Sequence, residues 1–407
     1  MTQQISTTLS EHVQTLKGFA FKSIWYTNDG RPIVKVSDFT ADSVDCSSLT
    51  CIPEDVANNY LRYQLREDDV VVQTVGSWPS NPASVVGKAV RIPKEASGAL
   101  LNQNAVKLIP DDLLDKKYLF YLLRNIHFKN YIIGTAQGAA SQAAITLDSI
   151  KRYSFSLYPL KTQHKIAAIL SAYGDLIENN NHRIKILEEM ARLIYHEWFI
   201  SFRFPGHEKG RIVGSPLGKI PEGWEVKSLG ALVKIRKGQN ITKETIVEGQ
   251  VPVVAGGIEP SYYHNVSNTQ NPVITVSASG ANAGFVNLYQ EDVWASDCSV
   301  IDSKVTPYVY YYYLLLDQRR IEVTGLQRGS AQPHVYPKDL MALQAIEVPD
   351  YLLGRFNEEI APIFRMIRNM KQRNSNLRQT RDLLLPKLIS GEIDVSELDI
   401  AIKENAA

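Results

Sequence analysis

Residues 154–206 read SFSLYPLKTQHKIAAILSAYGDLIENNNHRIKILEEMARLIYHEWFISFRFPG, and a second copy of this pattern lies near the C-terminus. A constant shift of 190 residues relates the copies, which share apolar positions, prolines and breaks. A duplicated segment in a chain of 407 residues indicates two matching halves, so the function should require two equivalent units. The corresponding pairs are Gln142 and Gln332, Ile150 and Leu340, Pro159 and Pro349, Ile177 and Ile367, Leu187 and Leu377, and Phe199 and Ile389.

Each copy contains a long amphipathic helix preceded by an extended run and a proline. The runs 154–158 and 344–348 end at Pro159 and Pro349, and proline suits a helix start better than a strand. From Ile177 onward the apolar residues show heptad spacing, which predicts a narrow stripe on one helix face. The a and d positions are Ile177, Asn180, Ile184, Leu187, Ala191, Ile194 and Trp198 in the first copy, and Ile367, Met370, Asn374, Leu377, Arg381, Leu384 and Leu388 in the second.

Two interpretations of these stripes remain open at this point. Each helix could pack on its own domain, or the two stripes could meet as an antiparallel pair, which the two-fold repeat favours. In the second case, polar seam residues such as Asn180 and Asn374 would set the register of the pair at some cost in stability.

Length and composition indicate a multidomain globular protein without a strong charge bias. The formal net charge is +1, so any nucleic-acid surface has to be local. Cys46, Cys51 and Cys298 form no CxxC pair, which is typical of a reducing compartment. The N-terminal residues lack a signal-peptide core, and no apolar run reaches the roughly 18 residues of a membrane span. We therefore expect a cytoplasmic protein with no membrane contact.

The segments that precede the two helices are predicted to be mixed α and β domains. In the first, strands are predicted over 70–75 and 85–92, and a helix with an acidic start over 111–133. A linker rich in proline and glycine, 204–223, leads to the second domain. There we predict strands over 251–254, 272–276 and 285–288 and a helix over 306–316, and residues 228–238 echo residues 8–18 at a shift of 220 residues.

This order of parts resembles the specificity subunit of type I restriction-modification systems, the HsdS family. The matching features are Gly223-Trp224 before the helix at Leu229, the segments 138–142 and 329–332, the run Tyr158-Pro159-Leu160, and the ending 383–393. The resemblance implies an α+β fold with internal pseudo-two-fold symmetry. Two mixed α/β target-recognition domains would be joined and separated by two long helical repeat regions that form an antiparallel coiled coil. The expected boundaries are 1–153 and 206–343 for the recognition domains and 154–205 and 344–407 for the helical regions.

Sequence motifs for catalysis are missing from the chain. It has no GxxxxGK[ST] phosphate loop, no GxGxxG motif and no HExxH motif. Asp111 and Asp115 next to Lys116 resemble a nuclease fragment that could hold Mg²⁺, but a solvated helix start explains them better. The tyrosine run 310–313 could stack on bases, although its helical spacing predicts that at least two of the tyrosines lie in the core.

What remains is sequence-specific binding of duplex DNA, which needs phosphate contacts for affinity and base-edge contacts for discrimination. The candidate residues lie in polar loops that contain glycine, and an ordinary surface turn is the alternative for each of them. In the first domain they are Lys22, Ser23, Ser77, Trp78, Asn81, Gln137, Ser141 and Gln142. In the second domain they are Lys243, Tyr262, His264, Ser277, Ser279, Asn282, Arg328, Ser330 and Gln332.

The resemblance implies a non-enzymatic subunit in which each half reads one half of a bipartite, asymmetric DNA site. The helices would serve as a spacer and as the docking surface for two modification (methyltransferase) subunits, which bind S-adenosylmethionine and methylate adenine. Two restriction subunits would add motors that use ATP and Mg²⁺, and this chain would hold no catalytic residue, metal or cofactor. A self-contained restriction or modification enzyme is the alternative, and a coiled-coil scaffold without a role in DNA binding is a third possibility.

Overall fold

A computed structural model of the protein describes residues 5–79, 85–138, 142–329 and 332–400. The chain forms two compact units. Unit 1 comprises Met1–Glu178 with Asn374–Ala407, and unit 2 comprises Asn179–Arg373. These units follow the contacts of the chain, and the four boundaries expected from the sequence stay a prediction. Among the described residues, no helix is both long and apolar enough to cross a membrane.

Unit 1 contains a mixed domain and parts of both long helices. Its strands are β1 (Ile5–Thr8), β2 (Val13–Lys17), β3 (Arg31–Val34), β4 (Cys51–Ile52), β5 (Val70–Gln73), β6 (Val75–Gly76), β7 (Ala89–Arg91), β8 (Leu100–Leu101), β9 (Ala105–Pro110), β10 (Ala143–Ala144) and β11 (Ser154–Leu157). Its helices are α1 (Leu9–His12), α2 (Glu54–Ala57), α3 (Lys116–Arg124), α4 (Ile126–Gly134), α5 (Leu147–Lys151) and the first part of α6 (Leu160–Tyr195). The strands form an antiparallel sheet with the order β2-β9-β5-β7, a three-stranded sheet β4-β3-β8, and the pairs β1-β11 and β6-β10.

The central strand β5 shows why this sheet lies inside the domain. All four of its residues are buried, and its side chains alternate between two cores. Val70 and Val72 pack with α3 in one core, whereas Val71 packs with Val90 in the other. A strand covered on both faces has no polar face, so its sequence is a short run of valines.

Unit 2 repeats this architecture. Its strands are β12 (Ile212–Ser215), β13 (Gly218–Pro221), β14 (Glu225–Ser228), β15 (Arg236–Lys237), β16 (Val251–Val254), β17 (Tyr262–His264), β18 (Val273–Ser277), β19 (Val286–Tyr289), β20 (Trp294–Ala295), β21 (Cys298–Asp302) and β22 (Gln344–Glu347). Its helices are α7 (Leu229–Leu232), α8 (Val309–Gln318), α9 (Arg320–Gly325), α10 (Pro337–Met341) and the first part of α11 (Asp350–Ser390). The sheets β15-β21-β18-β19, β17-β16-β20 and β14-β22 reproduce the strand orders of unit 1, so the predicted duplication is confirmed.

The correspondence extends to individual residues of the three-stranded sheets. Strand β3 has an antiparallel neighbour on one side and a parallel neighbour on the other, and so does β16. Pro32 in β3 corresponds to Pro252 in β16, so the shift of 220 residues continues from the first helical turn into this sheet. Loops between these landmarks can therefore be compared position by position.

The seams of the two long helices meet each other, as the second interpretation predicts. In unit 2, Glu188 lies 3.7 Å from Lys371, and the rings of Phe199 and Phe356 are 4.8 Å apart, so the two helices run antiparallel. In unit 1, Leu170 and Leu388 belong to one core. The a and d positions with buried side chains are Ile177, Ile184, Leu187, Ala191, Ile367, Asn374, Arg381 and Leu388.

Two local expectations were wrong. The helix predicted over 111–133 is two helices, because Asn125 has an extended backbone with ψ 143° and its side chain accepts a hydrogen bond from the His127 N–H at 3.1 Å. The first of them starts only at Lys116, where Asp115 accepts from the Tyr118 N–H at 2.7 Å. The linker 204–223 contains a hairpin, because β12 pairs with β13.

Candidate nucleic-acid interface

In unit 1, residues 137–138 and 142–144 lie side by side and present two glutamines to solvent. The Gln137 N–H donates to the Ala144 carbonyl at 2.9 Å, and the Ala144 N–H donates to the Gln137 carbonyl at 2.8 Å. Gly138 has φ 149°, and a Cβ there would lie 2.1 Å from the Gln142 carbonyl oxygen, so only glycine fits. The side chains of Gln137 and Gln142 are exposed.

Unit 2 has a similar arrangement of residues 328–329 and 332–334. The Arg328 N–H donates to the His334 carbonyl at 2.9 Å, and the His334 N–H donates back at 2.8 Å. Gly329 has φ 93°, and a Cβ there would lie 2.8 Å from the Gln332 carbonyl oxygen. Gln332 is exposed. We call residues 137–138 with 142–144, and residues 328–329 with 332–334, the glutamine hairpins, since the sequence repeat aligns Gln142 with Gln332.

Long-range pairing attaches each glutamine hairpin to the segment that follows a strand of the main sheet, β5 in unit 1 and β18 in unit 2. In unit 1, Ala143 pairs with Gly76, which places Ser77 and Trp78 beside the hairpin, and both side chains are largely buried. In unit 2, His334 pairs with Ser279, and the Ser279 hydroxyl donates to Asp297. The structure thus brings together Ser77, Trp78, Gln137 and Gln142 in unit 1, and Ser279, Arg328 and Gln332 in unit 2. Asn282 lies in the turn after Ser279, where its carbonyl accepts from the Phe285 N–H at 2.9 Å.

Arg328 is held without being buried. Its Nη2 lies 2.7 Å from Oδ1 of the buried Asp339, while the arginine side chain remains 67% exposed. The other Asp339 carboxylate oxygen accepts from the Tyr336 N–H at 3.1 Å, at the start of α10. The Nη2 group at one edge of the guanidinium is therefore fixed to the protein, and the remaining N–H groups are accessible to a ligand.

Two of the predicted contacts are directed inward. His264 is 6% exposed, its Nδ1 accepts from the Val247 N–H at 3.0 Å, and its ring packs edge-on against Trp294. Ser277 is 3% exposed, and its hydroxyl donates to the Gly256 carbonyl at 2.9 Å. Both side chains satisfy backbone groups inside the domain, and their contact with DNA stays a prediction.

The remaining candidates lie in loops that combine lysine with an aromatic ring. In unit 1, Lys22 and Ser23 are exposed, and Lys22 Nζ lies 5.4 Å from the centre of the Trp25 ring. In unit 2, Lys243 Nζ lies 5.6 Å from the centre of the Tyr262 ring. These pairs have the geometry of cation–π contacts and leave the lysine charge at the surface. Asn81, Ser141 and Ser330 lie outside the described residues.

The sequence reasoning missed an aromatic group at the end of the second glutamine hairpin. The rings of His334 and Tyr336 stack 5.7 Å apart at an angle of 8°, and Lys338 Nζ lies 5.7 Å from the Tyr336 ring. The candidates predicted from the sequence do not extend beyond Gln332, although the aromatic residues two and four positions further on could have indicated this group.

Other residues that suggested chemistry are explained by structure. Asp111 pairs with His12 at 2.9 Å, and Asp115 caps α3. Within the described part of the chain, no group of three or more His, Cys, Asp or Glu side chains could hold a metal ion. Tyr311 and Tyr312 are buried, which confirms the prediction that at least two tyrosines of the run lie in the core.

Comparison with known proteins accounts for this duplicated arrangement. The family model described as Type I restriction modification DNA specificity domain matches residues 8–189 and 221–378. The chain belongs to this family. It is 28% identical over 319 residues to the type I restriction enzyme MjaIX specificity subunit of Methanocaldococcus jannaschii, covering 73% of each chain.

Further similarities extend over almost the whole length of this specificity-family chain. The putative type I restriction enzyme MjaX specificity subunit of the same organism is 24% identical over 386 residues, which cover 90% of this chain and 88% of the relative. The S subunit of a type I restriction-modification system from M. genitalium shares the fold with a TM-score of 0.57 at 17% identity, covering 95% of this chain and 96% of that chain.

Proposed function

We propose that each mixed domain of this specificity subunit reads one half of a bipartite, asymmetric site in double-stranded DNA. The observation that carries the proposal is the pair of glutamine hairpins. Each is closed by a reciprocal pair of backbone hydrogen bonds and has a positive-φ glycine next to the carbonyl of an exposed glutamine, yet the two enclose different numbers of residues and differ in their neighbouring side chains. A shared frame with different side chains suits two related readers of two different sequences.

The exposed groups have the chemistry that base readout needs. A glutamine amide can donate to and accept from adenine in the major groove, and arginine can donate twice to guanine. Gln142 and Gln332 would read adenine, and Arg328 would read guanine or contact a phosphate. Lys22 and Lys243 would supply sequence-independent affinity through phosphates.

The outer faces of the helices suit docking of two identical partner subunits. Unit 1 exposes Leu176 and Leu383, and unit 2 exposes Met366 and Leu193. The shift of 190 residues relates Leu176 to Met366 and Leu193 to Leu383. Each unit therefore exposes one residue from each of these two pairs of equivalent positions. Exposed apolar residues on a helix outside its seam favour helix-in-groove contacts. We assign these two surfaces to two modification subunits.

The rest of the expected assembly completes the proposal. Modification subunits would bring S-adenosylmethionine, restriction subunits would bring ATP and Mg²⁺, and this chain would bring none of them. The paired helices would also set the distance between the two half-sites.

Selection of DNA from a random duplex library by the full chain with its modification subunits tests the readout. The wild-type complex should select two short sequences separated by a gap. Gln332→Ala should relax the preference at one half-site, and Gln142→Ala should relax the other, because a lost base contact costs about 1–3 kcal/mol of discrimination. Gln14→Ala, which removes an exposed glutamine on β2, is the control. Unchanged preferences in both hairpin variants would exclude the glutamine hairpins from readout.

A further inference from the structure

One loop of unit 1 exposes an isoleucine almost completely. Ile24 is 85% exposed at the centre of the 3₁₀ turn Ser23–Trp25. A single exposed aliphatic residue is unremarkable on a flexible surface loop. Here, however, the loop is tightly anchored and carries charge, so the exposed side chain is presented in a defined direction.

The anchoring comes from both sides of the turn. Phe21 is buried, and Trp25 packs against the same small core, which also contains Ile33 and Ile52. The Trp25 N–H donates to the Lys22 carbonyl at 2.9 Å, and the Tyr26 N–H donates to the Ser23 carbonyl at 3.0 Å. These contacts hold the backbone on either side of Ile24 while its side chain has no neighbour to pack against.

The charged side chains next to the turn that carries Ile24 are positive. Lys22 Nζ sits over the Trp25 ring at 5.4 Å, and Lys35 Nζ sits 5.6 Å from the centre of the Tyr26 ring. Lys22 is exposed and close enough along the chain to contact a phosphate when Ile24 contacts bases.

We propose that Ile24 inserts between two stacked base pairs of the first half-site as an apolar wedge, with Lys22 on a neighbouring phosphate. This inference rests on the proposed DNA-reading function. Proteins that kink DNA often insert aliphatic or aromatic side chains between base steps, and the lost stacking is offset by contact with the inserted group. The wedge would make the first half-site sensitive to the deformability of one step, which a pyrimidine–purine step tolerates best.

The corresponding loop of unit 2 lacks a wedge. The shift of 220 residues, which relates Pro32 to Pro252, aligns Ile24 with the exposed Glu244. A carboxylate at this tip would be repelled by the phosphates and would not enter the base stack. Unstacking should therefore occur in one half-site only.

The test uses the full chain with its modification subunits and a duplex that carries the selected site, with 2-aminopurine placed at one position at a time. Methyltransferases flip the base that they modify, so a rise is expected in both half-sites at the adenine that each modification subunit methylates. A further severalfold rise should occur at one step of the half-site read by unit 1 and at no step of the other. Ile24→Ala and Ile24→Glu should abolish this rise and weaken binding by roughly tenfold, since apolar contact is lost. Ile24→Leu should keep both properties. Ile321→Ala, which removes a 90% exposed isoleucine of unit 2, is the matched control.

The outcomes separate this inference from the function on which it rests. If no two-part site is selected, the proposed function fails. If a site is selected but the further rise in the first half-site is missing, or is equally large with Ile24→Ala, the wedge is wrong while base readout by the glutamine hairpins stands. If Ile24→Ala weakens binding of the modification subunits without DNA and leaves DNA affinity unchanged, Ile24 belongs to a protein contact and the wedge is also wrong.

Discussion

The ion pair between Arg381 and Asp42 connects α11 to the first mixed domain, and its contribution to stability can be measured. The sequence places Arg381 in the helix seam, but its side chain leaves the seam and reaches Asp42, with Nη1 2.6 Å from Oδ2. Arg381 is 2% exposed, and Asp42 also lies 3.5 Å from Arg124. The carboxylate is thus shared by two arginines that are distant in sequence.

Replacing Arg381 by methionine keeps an unbranched side chain about as long as the aliphatic stem of arginine and removes the charged guanidinium. Breaking a buried pair costs about 3–5 kcal/mol because the remaining charge is left uncompensated. Asp42 would keep Arg124, so we expect a loss in the free energy of unfolding near the lower limit, about 3 kcal/mol. The further contact of Arg381 with Asp382 adds little, since Asp382 is exposed and such pairs contribute about 0–1 kcal/mol.

The pH dependence has a definite sign. Burial raises the pKa of Asp42, but the charge of Arg124 and the charge and hydrogen bond of Arg381 outweigh it, so the pKa of this carboxyl is lowered overall. A lowered folded-state pKa stabilises the protein above the unfolded value of about 3.9, and this stabilisation is lost as the pH falls through the folded value. The difference between wild type and Arg381→Met should therefore be full near pH 7 and shrink below about pH 4.

Urea unfolding followed by fluorescence and circular dichroism measures these changes. A double-mutant cycle with Asp42→Asn should give a coupling of about 1–3 kcal/mol, because the two groups touch. Arg355→Met, on the exposed face of the same helix, should stay within about 0.5 kcal/mol of wild type. An unchanged midpoint for Arg381→Met, or zero coupling with Asp42, would refute the reasoning.

Three further predictions follow from the proposed assembly. Inserting one heptad after Leu187 and another after Leu377 keeps both seams in phase and adds about 10 Å to the helices. Since DNA rises about 3.4 Å per base pair, site selection should find a gap between the half-sites that is longer by about 3 base pairs. An unchanged gap in a variant that folds and binds would exclude the spacer role. Leu383→Asp or Leu193→Asp, each removing one exposed apolar residue, should leave a complex with one modification subunit by native mass spectrometry, whereas retention of both would remove these surfaces from docking. The purified chain should transfer no methyl group from radiolabelled S-adenosylmethionine to duplex DNA, and incorporation of label by the chain alone would contradict its assignment as non-catalytic.

Local sequence patterns were sufficient to predict the duplicated helices and the strand β5. The heptad positions from Ile177 identified the side chains that meet in the helix pair, because helical periodicity puts residues three and four apart on one face. The valine run of β5 and the prolines before both long helices were equally readable. The break at Asn125 was also local, since asparagine is a favourable cap, but the apolar periodicity on both sides of it concealed the boundary.

The tertiary structure alone decided which polar residues face solvent. His264 and Ser277 occur in sequence contexts like those of the exposed candidates, yet each bonds a backbone group that a distant segment brings near. Arg381 finds Asp42 across most of the chain, and the glutamine hairpins lie beside Ser77 and Ser279 only because strands from distant segments pair there. Periodicity in a sequence reports which face of an element is apolar, whereas the partner of a polar group depends on long-range packing that no local window contains.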